Sequence, residues 1–98
     1  MFQALFSVLL AVGTTVSAAH QRGVNLYKAH KYNEAITALT EAAQAEDPKS
    51  ADFQESALLI GQSYFMLSQA PKAIPWLEKV HSTPKWFMMR AMAASERR

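Results

Sequence analysis

The chain has 98 residues, which favours one domain, and half of them are hydrophobic, enough for a folded core. Its net charge is only +2, with basic residues scattered among acids, so neither nucleic acid nor an anionic membrane surface is favoured as a partner. With no cysteine it has no disulfide framework, cysteine-based zinc site, cysteine nucleophile or lipid-modified N-terminal cysteine.

All ten Lys and Arg and all eight Asp and Glu lie at or after Arg22. The uncharged start is apolar from Phe2 to Val12 apart from Gln3 and Ser7, then passes through Gly13-Thr14-Thr15 into Val16-Ser17-Ala18-Ala19-His20. An apolar block followed by small residues fits a cleavable secretory signal. Signal peptidase requires small side chains at the last and third-last positions, and cuts after Ala18 or Ala19 both satisfy this. The n-region lacks Lys and Arg, a departure from the usual pattern. Two alternatives are an ordinary buried first helix and a retained membrane anchor. The clean apolar block is only about half the roughly 20 residues that span a bilayer.

From His20 onward the pattern is helical. The first helix is expected over 19–29 and the second over 33–45. Ala35, Ile36, Leu39, Ala42 and Ala43 form one apolar stripe on the second, and Asp47-Pro48 ends it. The third helix begins within 48–52, with Asp52 to Glu55 readable as a capping box, and runs to about 67. Pro71 suits the first turn of the fourth, whereas Pro75 removes a hydrogen bond and should kink it; the helix continues through Trp76, Leu77 and Val80. Thr83-Pro84 reads as the cap and first residue of a fifth helix reaching about 96. The short connections make consecutive helices antiparallel neighbours.

The chain repeats itself at a shift of 38 residues: Gly23 with Gly61, Leu26 with Tyr64, Tyr32 with Ala70, Ala35 with Ala73, Leu39 with Leu77, and Ala42 with Val80, each unit closing near a proline, Pro48 or Pro84. Small residues recur where two helices would cross closely, and large apolar ones where a core needs filling. This pattern resembles the tetratricopeptide repeats, whose usual period is about 34 residues. Ala70 departs from it, since an aromatic is usual there, and four extra residues around 49–53 lengthen the third helix.

The resemblance implies an all-α fold: antiparallel helical hairpins stacked as a short solenoid of two repeats plus a C-terminal helix. The N-terminal signal helix (or anchor) covers 1–19 and the helical domain 20–98, with repeat one at about 20–48, repeat two at about 50–84 and the extra helix over 85–97. Counting 34 residues from Gly61 reaches Ser95, so this helix has the place of the first helix of a third, incomplete unit. Trp86, Met89 and Ala93 form one of its faces and Met88, Ala91 and Met92 another. A terminal helix needs a polar outer face, so this one implies a missing continuation or a partner.

The family also implies a peptide- or protein-binding groove lined by the first helix of each pair. Candidate groove residues are Val24, Tyr27 and Lys28 on the first helix and Leu58, Gln62 and Phe65 on the third. They favour an apolar or helical ligand. Packing of some of them against neighbouring helices is the alternative. Some family members clamp a C-terminal carboxylate with Lys and with Asn directly after the small residue; Val24 and Gln62 stand there, so chaperone-tail binding is not expected.

No phosphate loop, nucleophile elbow or His-Glu-x-x-His motif occurs. His20, His30 and His81 share no ligand spacing with each other or with a carboxylate, and Glu41, Glu46 and Asp47 read as a solvated face. The expectation is a non-catalytic, cofactor-free adaptor or assembly module exported to the bacterial periplasm or envelope. Its protein or peptide partner is not specified by the sequence, and the C-terminal helix offers possible self-association. Membrane contact is expected only if the first segment is retained, as in an anchored subunit of an envelope complex. A third reading is a helical accessory fragment of a larger envelope enzyme. Replacing Ala35 with Leu should overpack the first helix crossing and destabilise by roughly 1–3 kcal/mol; an unchanged denaturation midpoint would contradict the hairpin.

Overall fold

A computed structural model describes residues 17–81 and 84–96. Most of the expected signal segment and Thr83 lie outside the described residues. Those described form five helices: α1 (Ala18–Lys28), α2 (Tyr32–Ala45), α3 (Ala51–Met66), α4 (Ala70–Glu78) and α5 (Lys85–Glu96). The fold class is all-α. No described helix is long and apolar enough to cross a membrane.

Each helix packs on the next in the chain, and α1 also touches α3. The expected stripe on α2 is buried, joined by Ala38, with Ala35 and Leu39 fully enclosed. Ala35, Ile36, Leu39, Ala43 and Ile60 form one core cluster, and Ala73, Leu77, Phe87 and Ala91 form a second. The ring of Tyr64 packs against both.

Glycine admits the closest helix approach in each hairpin. A Cβ on Gly23 would collide with Leu39 Cγ and stand 2.6 Å from its Cδ2; one on Gly61 would stand 2.5 Å from Leu77 Cδ2. The two glycine–leucine pairs are related by the same 38-residue shift. So are the two connections. His30 and Ser68 both adopt left-handed backbone, with φ of 64° and 61°. Lys31 N donates to Leu26 O and His30 N to Tyr27 O; Gln69 N donates to Tyr64 O and Ser68 N to Phe65 O. Each set is a Schellman cap, which closes a helix and reverses the chain.

The start of α3 differs from expectation. Its N-cap is Ser50, whose Oγ accepts from Phe53 N at 3.1 Å, so Asp52 opens no capping box. Residues 47–50 form a turn in which Asp47 Oδ1 accepts from Lys49 N and Asp47 O from Ser50 N. That turn delivers Ser50 to the cap position and frees Glu55 for another partner. In α4, Pro71 lies in the first turn as expected and Pro75 lies inside the helix, both exposed.

Gly23→Ala should destabilise by roughly 1–3 kcal/mol, because Leu39 is fully enclosed and has nowhere to move. In a Leu39→Ala background the same change should cost clearly less, since the side-chain collision is gone and only the 3.2 Å approach to Leu39 N remains, against the helix preference of Ala. A double-mutant cycle read by chemical denaturation checks this coupling.

Candidate functional site

The six candidate groove residues fall on two adjoining helices, α1 and α3. Tyr27 Oη donates to Gln62 Oε1 at 2.8 Å, a direct bond from α1 to α3. Tyr27 also meets Tyr32 edge-on at 5.7 Å, and its burial raises its phenol pKa. Val24 and Tyr27 pack against the first core cluster, Leu58 and Phe65 against the second. Lys28 is exposed in the last turn of α1. Tyr27 and Gln62 therefore satisfy one another across α1 and α3, and the four apolar or aromatic candidates are half-buried rather than freely displayed. An open hollow of about 340 Å³ shares only Phe65 with them and is otherwise lined by Ser68, Ala70 and Ala94.

On α5 the two expected apolar faces rearrange. Phe87 and Ala91 point into the second core, with Met88 half-buried beside them. Phe87 meets Phe65 edge-on at 5.3 Å, locking α5 against α3. Met92 instead joins Trp86 and Met89 in the open; these three are 42%, 63% and 69% exposed. The expected pairing of Met92 with Met88 and Ala91 on one face is corrected accordingly: residues 88 and 92 straddle the edge of the buried arc.

The most organised polar cluster was not expected. His20 is 2% exposed. Its Nδ1 lies 2.8 Å from Glu46 Oε2 and 2.8 Å from Ser56 Oγ, and its Nε2 lies 2.7 Å from Glu55 Oε1. Ser56 Oγ donates to Glu46 Oε1 at 2.9 Å. The cluster joins the first turn of α1, the C-cap of α2 and the second turn of α3. Glu46, read from sequence as part of a solvated face, has a side chain only 8% exposed; Glu55 keeps 54%. A carboxylate at a helix C-cap opposes the helix dipole, and this was the one sequence signal that Glu46 needs a cation nearby.

Both ring nitrogens of His20 face carboxylates, and only the imidazolium has two N–H donors to satisfy them. Burial alone would lower the His20 pKa, but the hydrogen bonds to Glu55 and Glu46, with their charges, outweigh it, and the net shift is upward. A serine beside a histidine and a carboxylate suggests a nucleophile, yet the chemistry here differs. Both ring nitrogens are directed at carboxylates, the Ser56 proton goes to Glu46 rather than to the ring, and Ser56 is fully buried. The cluster is an ionic clasp.

Its consequence is a pH-dependent stability. The folded-state pKa of His20 lies above its ordinary 6.5. The clasp's contribution is therefore complete below about 6.5 and is lost as pH rises through the folded-state value. Unfolding free energies measured across that range should decline with pH, and His20→Gln should remove the decline. His20→Ala, which leaves Glu46 buried without its cation, should cost roughly 3–5 kcal/mol at neutral pH.

Comparison with family models, with curated proteins and with solved structures finds no match to this chain.

Proposed function

We propose that the chain is an exported, non-catalytic protein-interaction module of the tetratricopeptide type, with two hairpin repeats and the first helix of a third. The observation that carries this reading is the duplication at 38 residues: glycine–leucine crossings at Gly23–Leu39 and Gly61–Leu77, and Schellman turns at His30 and Ser68. Such a repeat sets the first helices of successive pairs side by side, and α1 meets α3 through the Tyr27–Gln62 bond. Their shared face, with Val24, Tyr27 and Lys28 on one side and Leu58, Gln62 and Phe65 on the other, is the groove. It takes an extended or helical peptide with apolar anchors, held mainly by burial.

Export rests on the apolar start and the small residues before His20. A cut after Ala18 or Ala19 falls within the first turn of α1 and removes Ser17, whose Oγ accepts from His20 N at 3.0 Å. The mature chain would thus lose a helix cap, on the order of 1 kcal/mol.

Photo-crosslinkers at Lys28 and Leu58 should capture the same polypeptide in an envelope fraction, while one at Thr37, exposed on α2, should not. Equal capture from Thr37 would refute the groove. Mass spectrometry of the protein from that fraction should find it starting at Ala19 or His20; an intact Met1 end would refute cleavage.

A further inference from the structure

We infer that the outer face of α5 is a self-association surface, on which two copies of the chain pair as antiparallel helices. The side of α5 turned from α4 carries Lys85, Trp86, Met89, Met92, Ala93 and Glu96, all exposed. Lys85, Met89, Met92 and Glu96 are spaced by four, three and four residues, which sets them in one seam along the helix. Three of the four large exposed hydrophobic side chains among the described residues belong to this face.

The charges specify the occupant and its direction. Lys85 stands at the N-terminus of α5 and Glu96 at its C-terminus, with no acid in the first turn and no base in the last turn of the helix, although Arg97 and Arg98 follow Glu96 in the sequence. Both charges oppose the helix dipole, and among the described residues neither joins an ion pair within the chain. Set a second α5 antiparallel against the first, with the two-fold axis between residues 90 and 91. Lys85 of each copy then meets Glu96 of the other, Met89 meets Met92, and Trp86 covers Ala93 and its neighbours. Each inverted terminal charge gains an opposite charge and the opposite end of a dipole. A parallel pair would set Lys85 against Lys85 and Glu96 against Glu96. The surface is self-complementary in one orientation, as a two-fold interface requires. The pairing uses the side of α5 remote from the core and does not depend on the groove.

Sedimentation equilibrium of the full chain should show a monomer–dimer exchange with a dissociation constant on the order of 10 µM, weak because one helix per copy buries little area. Met89→Glu should leave a folded monomer. Lys85→Glu and Glu96→Lys should each weaken the dimer about tenfold by creating two like-charge pairs. The variant carrying both reversals should return to within about twofold of the parent. The chain has no cysteine, so mixing Met89→Cys protein with Met92→Cys protein under oxidation should yield mainly the mixed disulfide. A chain that stays monomeric at every concentration overturns the proposal. So does a dimer indifferent to the charge reversals, or one in which Met89→Cys prefers to link to itself.

Discussion

A buried histidine between two carboxylates ties the first three helices together. An isolated charge at the depth of His20 would be prohibitively unfavourable. It is tolerated because Glu46, Glu55 and Ser56 surround it at 2.7–2.8 Å. His20 belongs to α1, Glu46 caps α2, and Glu55 and Ser56 belong to α3, so none of the three helices can shift without breaking a hydrogen bond of the clasp. The clasp also resolves two local conflicts: a carboxylate at the C-cap of α2, and a polar pair, His20 and Ser56, at positions where apolar packing would otherwise stand. The ring itself is enclosed, and Glu55, whose side chain is 54% exposed, is the member of the clasp that meets solvent.

Within each hairpin the constraint is steric rather than electrostatic. Gly23 and Gly61 let the leucines at 39 and 77 enter the space a Cβ would occupy, which draws each pair of helices into close contact. Non-glycine residues hold left-handed backbone at both turns, a conformation unfavourable by about 1–2 kcal/mol for an ordinary side chain. The same strain in the same place twice is evidence of one unit used twice. Between the units the work passes to the clasp, to the Tyr27–Gln62 bond and, at α5, to the Phe65–Phe87 contact.

Much of this was legible in the residues. Helix boundaries follow from proline, glycine and the apolar stripe, and they agree with the structure to within a few residues, because local sterics and the period of burial decide them. The 38-residue register was readable for the same reason: it recurs in small and large side chains whose volumes matter. The clasp was not readable, since His20 lies 26 and 35 residues from its two carboxylates and only packing brings them together. The cap of α3 was misplaced because an Asp47 turn outcompetes the Asp52–Glu55 box. Phe87 escaped notice because the apolar residues of α5 surround the helix, and periodicity alone does not say which side faces the core. The six candidate groove residues lie on α1 and α3, the helices expected from sequence, but sequence could not show that Tyr27 and Gln62 satisfy one another.

The protonation state of His20 tests this account most directly. Nitrogen-15 NMR of the folded protein, followed as pH is raised from about 5, reports both ring nitrogens. The clasp predicts two protonated nitrogens at the acid end and a titration midpoint above 6.5. A midpoint at or below 6.5 would contradict it.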